Sequence, residues 1–391
     1  MESFISPRAK TNYILFCIAT FLAFLTMSTL AYLAVVLDNL HYSTERIGFV
    51  LSSPFLPTLF GTLVVGRLMQ SYSAIQIAIS GLLICSISFL LMQYGVHHPL
   101  FLTILRGCVG LGFGLFFSSS MLFARNLLQG PNIPYFFGIY VSMLPLPNIL
   151  GPSLMEIYYD RIGINGLFLI LGIPLLTGLL MLIWIARHED KTAALGPQTN
   201  STTSYLSVFK DRRNYLPMSG VIVVGFLWGF IASFLALHLK NNQIPMIYYF
   251  LPTTGTLFLS RLILMKWIIR YPIATGVGLG FVAMGLANLI LFYPSIPTVI
   301  IAGAVFGLGY SFAFPLLSTW FSEHYPLHER AKPTAIFNAC FQFGICLIPL
   351  ISGYIIANFS TTTVLIGLVT VAFVFACLML LNRHAGKLGT Q

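Results

Sequence analysis

The chain has 391 residues, of which 57 % are hydrophobic and only 8 % charged, and its mean hydropathy is +0.89. A soluble domain carries about 25 % charged residues, so a soluble enzyme is excluded for want of surface charge and a disordered chain for excess of apolar residues. A net charge of +10 without a dense Lys/Arg run also speaks against a nucleic-acid binder, which must neutralise a phosphate backbone.

The apolar runs are unbroken for about twenty residues, long enough for membrane-spanning helices; a barrel would show alternating strands of about ten. In chain order the predicted spans are 12–36, 47–69, 74–94, 100–122, 135–158, 163–186, 215–238, 245–265, 272–293, 297–319, 334–357 and 361–382. The first run is too long for a signal h-region, so no cleavable leader is expected. The one long polar stretch is 187–214, with His-Glu-Asp-Lys, a Thr/Ser tract and Lys210-Asp211-Arg212-Arg213. It divides the chain into 1–186, a linker, and 215–391. The predicted fold is an all-α polytopic membrane protein: twelve helices in two six-helix bundles.

Charge predicts the orientation. With the N-terminus in the cytoplasm, sixteen basic residues face inward: Arg8, Lys10, Arg67, Arg125, Arg187, Lys191, Lys210, Arg212, Arg213, Arg261, Lys266, Arg270, Arg330, Lys332, Arg383 and Lys387. Only Arg46, Arg161 and Lys240 face outward, and Arg106 lies within a span. This positive-inside asymmetry predicts that both termini are cytoplasmic, and the expected location is the inner (plasma) membrane. The halves also repeat. Gly66-Arg67-Leu68 answers Ser260-Arg261-Leu262 at an offset of 194; Gly110-Leu-Gly-Phe-Gly114 answers Gly307-Leu-Gly-Tyr-Ser311, and Pro152 answers Pro349, at 197. An offset of an even number of spans gives the halves the same topology, a parallel repeat of transporter type.

At these residues the chain resembles the major facilitator superfamily, and within it the drug and sugar efflux permeases. Ser43 to Gly48 is similar to the family's start of span 2. Arg106 followed by Gly107, Gly110, Gly112 and Gly114 is similar to its span-4 pattern. Gly138, Pro147, Gly151 and Pro152 resemble its span-5 antiporter motif, and Phe321 to Arg330 followed by Ala335 to Gly344 resembles the loop and start of span 11. The resemblance implies transport by alternating access. The family's loop after span 2 reads G-x-L-x-D-R-x-G-R-R; here Gly66, Arg67 and Leu68 are kept, but Gln70 replaces the acid and the later basic residues are missing. A neutral Gln makes no ion pair, so the latch implied by the family is weaker or differently built. In the antiporter motif Met155-Glu156 replaces the final glycine pair.

Charge inside the bilayer is scarce. Arg106 is expected to face the bundle interior and bind an anionic group of a solute, or to answer protonation of a carboxylate; the alternative is an interfacial Arg whose head reaches the headgroups. Glu156 is the one carboxylate clearly within a span. It is the candidate proton-coupling acid, the alternative being a pair with Arg161 near the outer end of span 5. His238 reads as a solvated helix end. His97-His98 lacks further ligands for a metal site. All six cysteines lie in apolar runs and read as filler. There is no HExxH, nucleotide loop or nucleophile elbow, so neither an enzyme nor a cofactor or metal is expected.

Thr26, Thr29, Trp228, Tyr310 and Ser311 fall in spans 1, 4, 7 and 10, which line the cavity in the family, and Asn148, Asn338 and Gln342 in spans 5 and 11. Arg106, Asn148, Trp228, Tyr310, Asn338 and Gln342 are therefore the candidate solute-binding residues. Gly66, Arg67, Gln70, Gly110, Gly114, Gly151 and Pro152 form the gating and structural set. Asn338 and Gln342, four apart, share a helix face; interhelical hydrogen bonding is the alternative role for each. The expected partners are a small-molecule substrate, protons as coupling ion and the lipid bilayer, with the chain a monomer. The predicted function is proton-coupled export of a small organic molecule, such as a drug, a sugar or a siderophore-like metabolite. The alternative is an uptake permease for an anionic solute, and a membrane-embedded enzyme is remote.

Overall fold

The computed structural model describes residues 7–128, 133–188, 205–264, 268, 271–323, 325 and 331–382. Most of the linker (189–204) and the loop stretch 326–330 lie outside the described residues. So do Lys191, Lys266, Arg270, Arg330, Arg383 and Lys387 of the basic set.

The described residues are helical almost throughout: α1 (Pro7–Thr29), α2 (Leu33–Asn39), α3 (Thr44–Ser52), α4 (Phe55–Leu68), α5 (Ala74–Gly95), α6 (Pro99–Asn126), α7 (Ile133–Met143), α8 (Pro147–Ile162), α9 (Leu167–His188), α10 (Tyr205–Lys210), α11 (Tyr215–Ile231), α12 (Leu235–Asn241), α13 (Ile247–Ile263), α14 (Ile273–Ile290), α15 (Ile296–Glu323), α16 (Ala331–Asn358) and α17 (Thr361–Leu381). Large apolar side chains such as Leu56, Phe60, Leu100 and Leu180 stand exposed on them. A lipid-facing surface presents such residues, and a soluble monomer rarely does so in contiguous patches.

Ten stretches of described helix are long and apolar enough to cross a membrane. The fifth and eighth predicted spans are the other two. The fifth is split into α7 and α8, because Pro145 and Pro147 remove two backbone donors in three residues. The eighth is α13, of 17 residues.

Other breaks have local causes. Between α3 and α4 stands Pro54. α1 passes through a tight turn at Leu30–Tyr32 before α2, where Thr29 Oγ1 donates to the Thr26 carbonyl at 2.6 Å. α11 breaks before α12 in the same way, with Ser233 Oγ donating to the Gly229 carbonyl at 2.6 Å. Hydroxyls bonding back to the helix in this way favour bends. α5 starts in a capping box: Gln76 N–H donates to Ser73 Oγ, and Ser73 N–H to Gln76 Oε1.

Two compact units result. One falls within Met1–His41 and Phe49–Gln198, the other within Tyr42–Gly48 and Thr199–Gln391. In the first unit the packing runs α4, α6, α5, α9, α1, α8, each helix against the next. In the second it runs α13, α15, α14, α17, α11, α16. In predicted spans these orders are 2-4-3-6-1-5 and 8-10-9-12-7-11, one pattern used twice.

Backbone approach confirms the equivalence. A Cβ at Gly81 of α5 would lie 2.6 Å from the Gly112 carbonyl oxygen, and one at Gly280 of α14 would lie 2.8 Å from that of Gly309. The offsets, 199 and 197, fix the register of the two units. Small residues allow this closeness, which drives association where lipid removes the hydrophobic term.

Candidate functional site

In the first unit, Arg106 sits two turns into α6. Its residue is 8 % exposed, and Nη2 donates to the Leu51 carbonyl at 3.4 Å. The position is fixed by the glycines that follow. A Cβ at Gly110 would strike the Pro54 carbonyl and one at Gly114 the Thr58 carbonyl, so α6 lies directly on the backbone around α4.

Across the unit, Gly151 of α8 meets Ser28 of α1 with no room for a side chain, and Ser28 Oγ donates to the Pro147 carbonyl at 3.0 Å. Pro152 is buried beside it. One turn further, Glu156 is half-buried and within electrostatic reach of Tyr32, which is 2 % exposed at the bend between α1 and α2. The exposed Asp160 is within electrostatic reach of the same tyrosine. Asn148 is half-buried in the first turn of α8, two turns from Glu156. α8 ends at Gly163, whose φ of +62° suits glycine. Thr26, 1 % exposed, donates to the Leu171 carbonyl at 2.9 Å and so joins α1 to α9.

The span-2 motif lies elsewhere. Arg67 and Gln70 are exposed at the end of α4, and a Cβ at Gly66 would meet nothing within 4 Å.

In the second unit an aromatic ladder stands on α15. Trp228 of α11 stacks on Tyr310 with ring centroids 4.8 Å apart, Tyr310 stacks on Phe314 at 5.5 Å, and Phe314 meets Phe341 of α16 at 4.7 Å. Gly225 and Gly344 bring α11 and α16 together, each Cβ position 2.9 Å from the other's Cα. That contact sets Trp228 and Phe341 either side of the ladder. Asn338 and Gln342 are half-buried on α16, one position on from Phe337 and Phe341.

The packing corrects two readings of the sequence. His238 is not a solvated helix end; its Nε2 is 2.9 Å from the Leu291 carbonyl, joining α12 to the end of α14. Arg261 is not the equivalent of exposed Arg67. Ser260 Oγ donates to Ser311 Oγ at 2.6 Å, and Ser311 answers Gly114, whose Cβ position lies 3.0 Å from the Thr62 nitrogen. Ser260 thus stands at the level of Thr62, and Arg261 about one helical turn deeper than Arg67. Its Nε is shielded from solvent. The signal in the sequence was the offset of 194, out of step with 197. Among the described residues no group of three His, Cys, Asp or Glu is placed to hold a metal ion.

The family model of the Major Facilitator Superfamily matches residues 16–258 and 242–390. The chain belongs to the major facilitator superfamily. It is similar to an uncharacterized MFS-type transporter of Enterobacter sp. (strain 638), at 22 % identity over 94 % of this chain and 93 % of that one. Among solved structures, a mutant of the nucleoside transporter NupG superposes with a TM-score of 0.80 at 16 % identity, over 95 % of this chain and 99 % of the other. A POT family transporter in complex with a thioalcohol-conjugated peptide gives 0.79 at 12 %, over 96 % of each. A bacterial homolog of the human lysosomal transporter Spinster gives 0.78 at 14 %, over 97 % and 98 %. At such identities the likeness shows the fold alone. This superfamily member is a multi-pass membrane transporter of small molecules, and its family is not an enzyme family.

Proposed function

We propose that the chain exports a small organic molecule by proton antiport, in the manner of the drug and sugar efflux permeases, from an inner membrane with both termini in the cytoplasm. The two halves, 1–186 and 215–391 joined by 187–214, alternate in access and work as a monomer. Arg106 and Asn148 of the first half and Trp228, Tyr310, Asn338 and Gln342 of the second engage the solute. Gly66, Arg67 and Gln70 act in gating. Gly110, Gly114, Gly151 and Pro152 hold the helices at the spacing the motion needs.

The observation that carries this reading is Glu156. It is a half-buried carboxylate within electrostatic reach of Tyr32, one turn beyond the tight Gly151–Ser28 contact between α8 and α1. A carboxyl in such surroundings gains or loses its proton with the conformation around it. That is what coupling to a proton gradient requires.

Glu156→Gln is expected to abolish pH-driven transport in membrane vesicles while solute exchange continues. Undiminished pH-driven transport in that variant overturns the role. Comparison of metabolites inside and outside cells, with and without the protein, gives direction and solute together. The buried Arg106 favours a second reading, uptake of an anionic solute. It would be marked by accumulation inside cells rather than secretion.

A further inference from the structure

Arg261 is a part-buried cation, its Nε shielded from solvent, for which neither the fold nor the proposed coupling has a use. It is the third residue from the end of α13, two before Ile263. Helical side chains lean toward the N-terminus of their helix, so Arg261 reaches back into the unit rather than out past the helix end. Among the described residues Arg261 makes no ion pair, and its Nε has no hydrogen-bond partner. Its electrostatic neighbour is Tyr310. The Ser260–Ser311 hydrogen bond holds the two in place, since each is next in sequence to a bonded serine.

Packing does not require this arginine. The first unit builds the equivalent α4–α6 contact from Gly114 against Thr58 and Thr62, and the residue that follows Thr62 there, in the place of Arg261, is the apolar Leu63. A guanidinium partly withdrawn from water without a counter-charge is costly, and within a membrane such a group marks a solute or ion path. Beside it Tyr310 stacks on Trp228.

We infer that Arg261, Tyr310 and Trp228 form a recognition site for an organic anion that carries a flat apolar ring. The inference rests on the reading of the chain as a solute transporter. The guanidinium fork takes a carboxylate or phosphate through two parallel N–H donors. The Tyr310 hydroxyl supplies a further donor, and the part-exposed ring of Trp228 offers an apolar surface to the solute ring, Tyr310 being stacked between Trp228 and Phe314.

Thermal unfolding of the full-length protein in detergent tests this with benzoate, phenyl phosphate and uncharged benzamide as probes. Benzoate or phenyl phosphate raises the Tm saturably and benzamide does not; which of the two acts at lower concentration distinguishes carboxylate from phosphate recognition. Arg261→Gln weakens the anion response roughly tenfold or more. Arg261→Lys keeps part of it, because it retains the charge but loses the fork. Should Arg261→Gln fail to fold, Arg261→Lys and Tyr310→Phe carry the same test through their shifted half-saturating concentrations. An unchanged response in the variants, or no response to either anion in the unsubstituted protein, overturns the inference. Transport of a neutral or cationic solute, equal in cells carrying Arg261→Gln, also overturns it and leaves transport standing. Cells in which no metabolite moves overturn transport itself, and this inference with it.

Discussion

The six-helix pattern is built twice, and the two copies differ where their second and fourth helices meet. In the first unit α4 and α6 touch through glycine, with Gly114 against the Thr58 carbonyl. In the second, Ser311 takes the glycine's place and binds Ser260 across the same contact. The first unit keeps a buried cation on the fourth helix, at Arg106; the second has a part-buried one on the second helix, at Arg261. Bare backbone contact repeats because packing demands it. Polar chemistry does not repeat, because no packing rule requires it there. Asymmetry laid over a symmetric scaffold is thus a pointer to function.

The strongest test of the shared scaffold is to fill its repeated contact in each unit. Gly81→Leu and Gly280→Leu each put a side chain where a carbonyl and a backbone nitrogen already lie within 3.0 Å of the Cβ position. Backbone on both sides leaves little room to yield. Each substitution should cost at least about 1–3 kcal/mol, the usual penalty for overpacking. Loss of the folded peak in size-exclusion chromatography after heating measures it. Equal losses sustain the equivalence; a unit that tolerates the leucine breaks it.

The next test separates the two cations. Arg106→Ala should remove nearly all transport and Arg106→Lys should keep some, if the guanidinium of the first unit serves the solute as well. Equal transport by both variants would assign Arg106 to packing. Arginine at the second site would then stand alone.

Much of this was legible in the residues. Apolar runs of about twenty residues and landmarks repeated at 197 pointed to the helices and to the repeat of their packing order. Composition and period carry that information, because each span must satisfy its own backbone and present apolar side chains to lipid. The depth of Arg261 was written only in the offset of 194, out of step with 197, and sorting charges by side passed over it. Counting charges by side treats any basic residue near the end of a run as belonging to the loop. The difference between Arg67 and Arg261 is one helical turn, about 5.4 Å, and a run of apolar residues does not mark where the neighbouring helix covers it. The tie from His238 to Leu291 was hidden for a similar reason: it joins helices 53 residues apart. Trp228 and Tyr310, chosen from separate spans, do meet. Asn148 and Glu156 share α8, but which of its faces meets a solute depends on three-dimensional packing.

The smallest expected effect is at Gly66, and it sharpens the comparison from the other side. A motif glycine invites the same explanation as Gly110 and Gly114, yet the surroundings differ. A Cβ at Gly66 meets nothing within 4 Å, whereas one at Gly110 would strike the Pro54 carbonyl. Gly66 lies within α4 at ordinary helical geometry, so alanine introduces no backbone strain there. Alanine also exceeds glycine in helix propensity by about 1 kcal/mol. Gly66→Ala should therefore leave thermal stability unchanged or raise it slightly, while Gly110→Ala lowers it. A clear loss of stability in Gly66→Ala would mean that the end of α4 is packed against something its local geometry does not display. Stability held with altered gating kinetics would instead assign the glycine to the moving state of the helix, where close approach is needed only in passing.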